Sequence, residues 1–192
     1  LKDGETDERY LESVIGLAPA SAIVPTLRDT IGEGAARLHE GRPEEAATLF
    51  RRVLDRSPRQ PEAHHLLAVA LFQLGRAQEA ADSAARAAKL APRSADAHSN
   101  LGRFRFALGD LDNAVRSAEK ALELDPAHGP ARFNLALALG GQRKYAEAAE
   151  HMRRFTQAFP AEPSGHHELG NLLAAGGRQQ EGAACFTHVI EL

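Results

Sequence analysis

The chain has 192 residues, a formal net charge of −3, and 43% hydrophobic against 26% charged residues. That balance is too apolar for a disordered chain and lacks the basic excess that a nucleic-acid surface needs. No apolar run approaches the length of a membrane span, and the single cysteine, Cys185, excludes an internal disulfide.

Residues 1–26 come first. Lys2-Asp3-Gly4-Glu5 is too charged for a signal peptide. The first residue is not Met, so a removed leader and the compartment both stay open, with the cytoplasm favoured over the periplasm. Residues 7–17 (DERYLESVIGL) carry apolar side chains at Tyr10, Leu11, Val14, Ile15 and Leu17, a spacing that predicts a short helix with one apolar side. Asp7 can cap its start, and Pro19 and Pro25 stop it from continuing. This stretch is expected to be a short leading helix packed on the first repeating unit after Pro25, the remnant of an earlier such unit, or else a partly ordered tail.

From Leu27 onward the chain divides without a gap into 34-residue blocks: 27–60, 61–94, 95–128, 129–162 and an incomplete 163–192. Pro58, Pro92, Pro126 and Pro160 recur at that interval, a period that signals stacked helical hairpins. Other columns keep the same register. Small residues fill place eight (Gly34, Ala68, Gly102, Ala136, Gly170) and place twenty (Ala46, Ala80, Ala114, Ala148, Gly182), where two antiparallel helices can approach closely. Place seven holds Leu67, Leu101, Leu135 and Leu169. Gly41, Gly75, Gly109 and Gly177 occupy place fifteen, with Arg143 the exception, and suit a left-handed helix end. Acidic residues just beyond (Glu44, Glu45, Glu79, Asp112, Glu147, Glu181) favour the start of a second helix, and Pro43 suits its first turn.

These columns resemble the tetratricopeptide repeat over residues 27–192, about six-sevenths of the chain. Residues 100–126 (NLGRFRFALGDLDNAVRSAEKALELDP) and 168–186 (ELGNLLAAGGRQQEGAACF) carry the resemblance most closely. It implies an all-α protein, a right-handed α-α superhelix of about five helix-turn-helix repeats, preceded here by the short N-terminal helix. Two columns depart from the family. Place four, usually aromatic, holds His64, His98, Arg132 and His166, and place eleven, usually large and apolar, holds Arg37 and Arg105. The last block stops at Leu192, four positions short, which points to a fragment or to order ending before the true terminus.

No catalytic, phosphate-binding or metal-binding constellation is apparent. The adjacent pairs His64-His65 and His166-His167 point different ways on a helix and cannot chelate through one face. The three place-four histidines are expected to fill the layer between helices, and Cys185 to be a small core residue. No cofactor is expected, nor nucleic acid, nor membrane insertion.

The resemblance implies a concave groove lined by the first helices. Carried onto this sequence, the groove comprises His65, Val69 and Phe72, then Ser99, Asn100, Arg103 and Phe106. Phe133, Asn134 and Leu137 come next in the fourth block, and His167, Glu168 and Asn171 in the fifth. Asn100 and Asn134 share place six and resemble the asparagine ladder that holds extended peptides, since an amide offers a donor and an acceptor to one peptide unit. The implied function is a scaffold that binds a peptide or protein segment. The alternative is the substrate-docking region of a larger bacterial enzyme, of sulfotransferase, O-linked glycosyltransferase or 2-oxoglutarate hydroxylase type, with its catalytic domain elsewhere. Self-association through terminal repeats is a third expectation.

Overall fold

The computed structural model describes residues 25–191, and the expected leading helix at residues 7–17 lies outside them. Ten α-helices and no strand occur among the described residues. They run α1 (Leu27–His39), α2 (Pro43–Arg56), α3 (Pro61–Gln73), α4 (Ala77–Leu90), α5 (Ala95–Ala107), α6 (Leu111–Leu124), α7 (Gly129–Gly141), α8 (Tyr145–Ala158), α9 (Pro163–Ala175) and α10 (Gln179–Glu191). Each odd-numbered helix packs on the even-numbered one after it, and each hairpin packs on the next, giving an all-α superhelix.

The turns explain why the hairpins share one size. In all five, the residue at place fifteen is left-handed: φ is 71° at Gly41, 74° at Gly75, 77° at Gly109 and 84° at Gly177. Arg143 takes the same conformation, at 64°, despite its Cβ. Each turn then closes with the same pair of backbone bonds. Gly75 N–H donates to Phe72 C=O at 3.0 Å and Arg76 N–H to Leu71 C=O at 2.9 Å. The Arg143 turn repeats them through Gly140 at 2.9 Å and Leu139 at 3.0 Å. This is the Schellman arrangement, which satisfies carbonyls that a helix end leaves free.

The far ends of the hairpins are set by the prolines. A proline pushes the residue before it into extended backbone. Ser57, Ala91, Asp125 and Phe159 accordingly have φ of −141°, −123°, −142° and −129°, and each even-numbered helix from α2 to α8 stops one residue earlier. The carbonyls of those prolines are taken by place four of the next block. His64 Nε2 lies 2.9 Å from Pro58 O, His98 Nε2 3.1 Å from Pro92 O and His166 Nε2 3.0 Å from Pro160 O. Arg132 donates to Pro126 O in the same way. The histidines therefore tether successive hairpins by a hydrogen bond, which an apolar aromatic ring could not supply. Of the three only His64 is fully buried.

The small columns set the helix separation. Ala46, Ala80, Ala114 and Ala148 are at most 1% exposed. A Cβ on Gly102 would stand 3.1 Å from Ala114 O. On Gly34 it would meet the Phe50 ring at 2.5 Å, and on Gly170 the Phe186 ring at 2.6 Å, so these two glycines seat an aromatic ring of the partner helix. The place-eleven arginines bridge their hairpins by polar contacts instead. Arg105 donates to Ser117 Oγ at 2.8 Å, and Arg37 Nε lies 3.6 Å from Glu45 Oε2 of α2.

Candidate peptide-binding groove

The first helices α5 and α7 meet directly, and their contact uses one of the two place-six asparagines. Asn134 is 8% exposed, and its Nδ2 donates to both Ser99 O and Ser99 Oγ at 3.1 Å. Its Nδ2 donor is thus spent on holding α7 to α5. Ser99 is 2% exposed and offers no surface to a ligand. Asn100 differs: it is half-buried, and its Nδ2 finds only the His65 ring, at 3.4 Å from Nδ1.

Arg103, one turn further along α5, stacks its guanidinium 5.0 Å from the centroids of both Phe72 and Phe104. Those two rings are themselves 5.0 Å apart. Cations are drawn to the negative face of such rings. Burial lowers the guanidinium's affinity for its proton, no carboxylate among the described residues offsets this, and Nε is buried without a partner. His65 is likewise held below its ordinary value, first by burial and further by Arg103, with Asp96 opposing.

Asn100 and Arg103 open onto a cleft of about 400 Å³ that also takes in Phe133, Asn134, Pro130, Phe155, Phe159, Glu162 and Ser164. Phe133, Phe155 and Phe159 form a continuous aromatic row, with centroids 5.1 Å and 5.0 Å apart. Four of the groove residues named from sequence, Asn100, Arg103, Phe133 and Asn134, therefore come together. Phe72 touches the cleft only through Arg103. Val69, Phe106 and Leu137 are half-buried against the core beneath the first helices. His167, Glu168 and Asn171 form a separate group on α9, with His167 and Asn171 exposed and Glu168 half-buried, where Asn171 Nδ2 donates to Glu168 Oε2 at 3.4 Å.

Phe155 and Phe159 did not emerge from the first-helix pattern, because they belong to the end of α8 and the turn after it. Their signal lies in other columns. Where this block has two phenylalanines, the earlier blocks have Val53, Ala87 and Ala121, and Ser57, Ala91 and Asp125. No helix among the described residues is long and apolar enough to cross a membrane, and no group of three or more metal-ligating side chains occurs among them.

A stack of equal hairpins with an open cleft along its first helices defines the class: an all-α repeat solenoid. Family models described as tetratricopeptide repeat match residues 37–104, 95–128 and 133–187, and the chain belongs to that family. Among solved structures, it is similar to MamA 41-end from Desulfovibrio magneticus RS-1, at 25% identity and a TM-score of 0.75, covering 86% of this chain and 94% of that one. A thermophilic TPR protein of Thermus thermophilus, TTC0263, aligns at 21% identity with a TM-score of 0.74 over 86% of this chain and 91% of its own. Pseudomonas aeruginosa PilF aligns at 22% identity with a TM-score of 0.76, over 86% and 75% of the two chains. Comparison with curated protein sequences returns no match.

Proposed function

We propose that the chain is a non-catalytic interaction module that holds a segment of another protein against its first helices, chiefly in repeats three to five. Membership of the tetratricopeptide repeat family supports an interaction scaffold. The observation that carries the location is Arg103, a partly buried cation on the cleft wall for which no carboxylate among the described residues provides a partner. The two rings offset part of its burial, and a carboxylate from a binding partner would offset more.

Site-specific photocrosslinking tests the location. A benzoylphenylalanine at Phe133 should crosslink a captured partner, whereas one at the exposed Glu119 of α6 should not. Crosslinks confined to Glu119 would overturn the assignment. The two asparagines should also separate. Asn100→Ala should weaken capture while leaving the melting midpoint unchanged. Asn134→Ala should lower stability by about 1 kcal/mol, because it removes the bond to Ser99.

A further inference from the structure

We infer that the repeat-four cleft is a seat for a partner segment that places one aromatic or large aliphatic side chain beside a carboxylate. The inference rests on the groove reading above and adds a chemistry to it.

The apolar half of the argument starts from what the solenoid itself needs. Ser57, Ala91 and Asp125 end their helices as well as Phe159 does, so folding does not call for a phenylalanine at that turn. Phe159 is nonetheless 42% exposed, one of the few large apolar side chains so placed among the described residues. Space has been made for it. Its ring occupies the volume that a Cβ on Gly129 would fill, and Phe155 sits where a Cβ on Gly165 would stand 2.7 Å away. Both glycines lie in the first turn of a helix, where any Cβ would collide with these rings. Two glycines thus make room for an aromatic row whose last ring stays partly in solvent. Such a row offers a face for stacking another ring or packing an aliphatic chain.

The polar half comes from charge. Arg103 supplies a cation on the cleft wall that no carboxylate among the described residues pairs with, and its stacking on Phe72 and Phe104 fixes the plane of the guanidinium. A planar, pre-oriented fork matches a carboxylate. The α8–α9 turn that carries Phe159 also carries Glu162, which lines the cleft and accepts a hydrogen bond from Ser164 Oγ at 2.8 Å. A carboxylate is attracted at the Arg103 end and repelled at the Glu162 end. The acid of the partner therefore lies toward α5 and its apolar side chain toward Phe159.

The test is to pan a random dodecapeptide library, displayed on phage, against the chain. Enriched peptides are then measured by fluorescence anisotropy. The expected result is a shared pair, an aromatic or large aliphatic residue close to Asp or Glu. Affinity should fall about 10- to 100-fold with Arg103→Gln, as for loss of a charge-assisted bond, and partially with Arg103→Lys. Phe159→Ala should weaken binding with the circular dichroism spectrum unchanged. If that variant unfolds, replacing the aromatic of the peptide by Ala provides the same readout. Peptides that crosslink at position 133 yet ignore Arg103→Gln and their own acidic residue would overturn this inference and leave the groove reading standing. Enrichment only of peptides that crosslink at position 119, or no enrichment, would overturn both.

Discussion

Replacing Arg143 by glycine should stabilise the protein. Arg143 holds φ at 64° because the α7–α8 turn must close as the other four do, and its own N–H and that of Lys144 donate the same two backbone bonds. A left-handed residue with a Cβ costs about 1–2 kcal/mol, whereas glycine reaches that conformation freely. Glycine also loosens the unfolded chain, which offsets about 0.4–1 kcal/mol of the gain. The Arg143 side chain is exposed and forms no ion pair or hydrogen bond among the described residues, so little else is lost. The net gain is about 0.5–1 kcal/mol, or a rise of about 1–4 °C in melting midpoint for a chain of this size. Thermal and urea melts followed by circular dichroism measure it. Gly75→Arg is the reciprocal change, and a Cβ there meets nothing within 4 Å, so its cost isolates the backbone effect. It should lower stability by a similar amount. A midpoint that stays the same or falls for Arg143→Gly would refute the reasoning and show that arginine itself supports the turn.

Two further outcomes come from packing and charge. Gly102→Leu and Ala114→Leu should each destabilise by about 1–3 kcal/mol or more, since a Cβ on Gly102 already stands 3.1 Å from Ala114 O; an unchanged midpoint for both would contradict the helix contact described. Acid should weaken the fold through two histidines. His65 and His151 are both held below their ordinary value of 6.5, primarily by burial, with Arg103 adding to the effect at His65 and Arg132 and Arg154 at His151. Above pH 6.5 both states are largely neutral and nothing changes. As pH falls through that value the unfolded chain takes up protons that the folded chain resists, so stability drops. The midpoint measured from pH 7.5 to 5.5 should fall more steeply in the native chain than in the His65→Gln, His151→Gln variant, and equal slopes would count against the buried histidines.

The fold was legible because its determinants are backbone demands that recur. A left-handed turn asks for glycine, a helix stop for proline, and a close helix contact for alanine or glycine, and each request repeats every 34 residues. Gly41, Gly75, Gly109 and Gly177 announce their turns in this way, and the same register locates the Arg143 turn without its glycine. The groove was harder to read because a column says which helix face a residue occupies but not which neighbour claims its polar atoms. Asn100 and Asn134 share a column, yet Asn134 is consumed by Ser99 and Asn100 is not. Phe155 and Phe159 were missed since they approach the cleft from α8 and its end, across a tertiary contact that a first-helix pattern omits.

The departures from the repeat pattern then sort by what the solenoid does with them. His64, His98 and His166 replace an aromatic, but each satisfies a proline carbonyl that would otherwise lie open at a hairpin junction. Arg105 replaces an apolar side chain and ties α5 to α6 through Ser117. These exceptions are taken up in hydrogen bonds within the solenoid. Arg103 and Phe159 are not absorbed in this way: one is a cation that no carboxylate among the described residues pairs with, and the other leaves an aromatic ring partly in water. Both stand on the wall of one cleft. Polar atoms and apolar surface that a chain leaves unmatched cost free energy until something matches them. A carboxylate and an apolar side chain on one binding partner would offset both costs together.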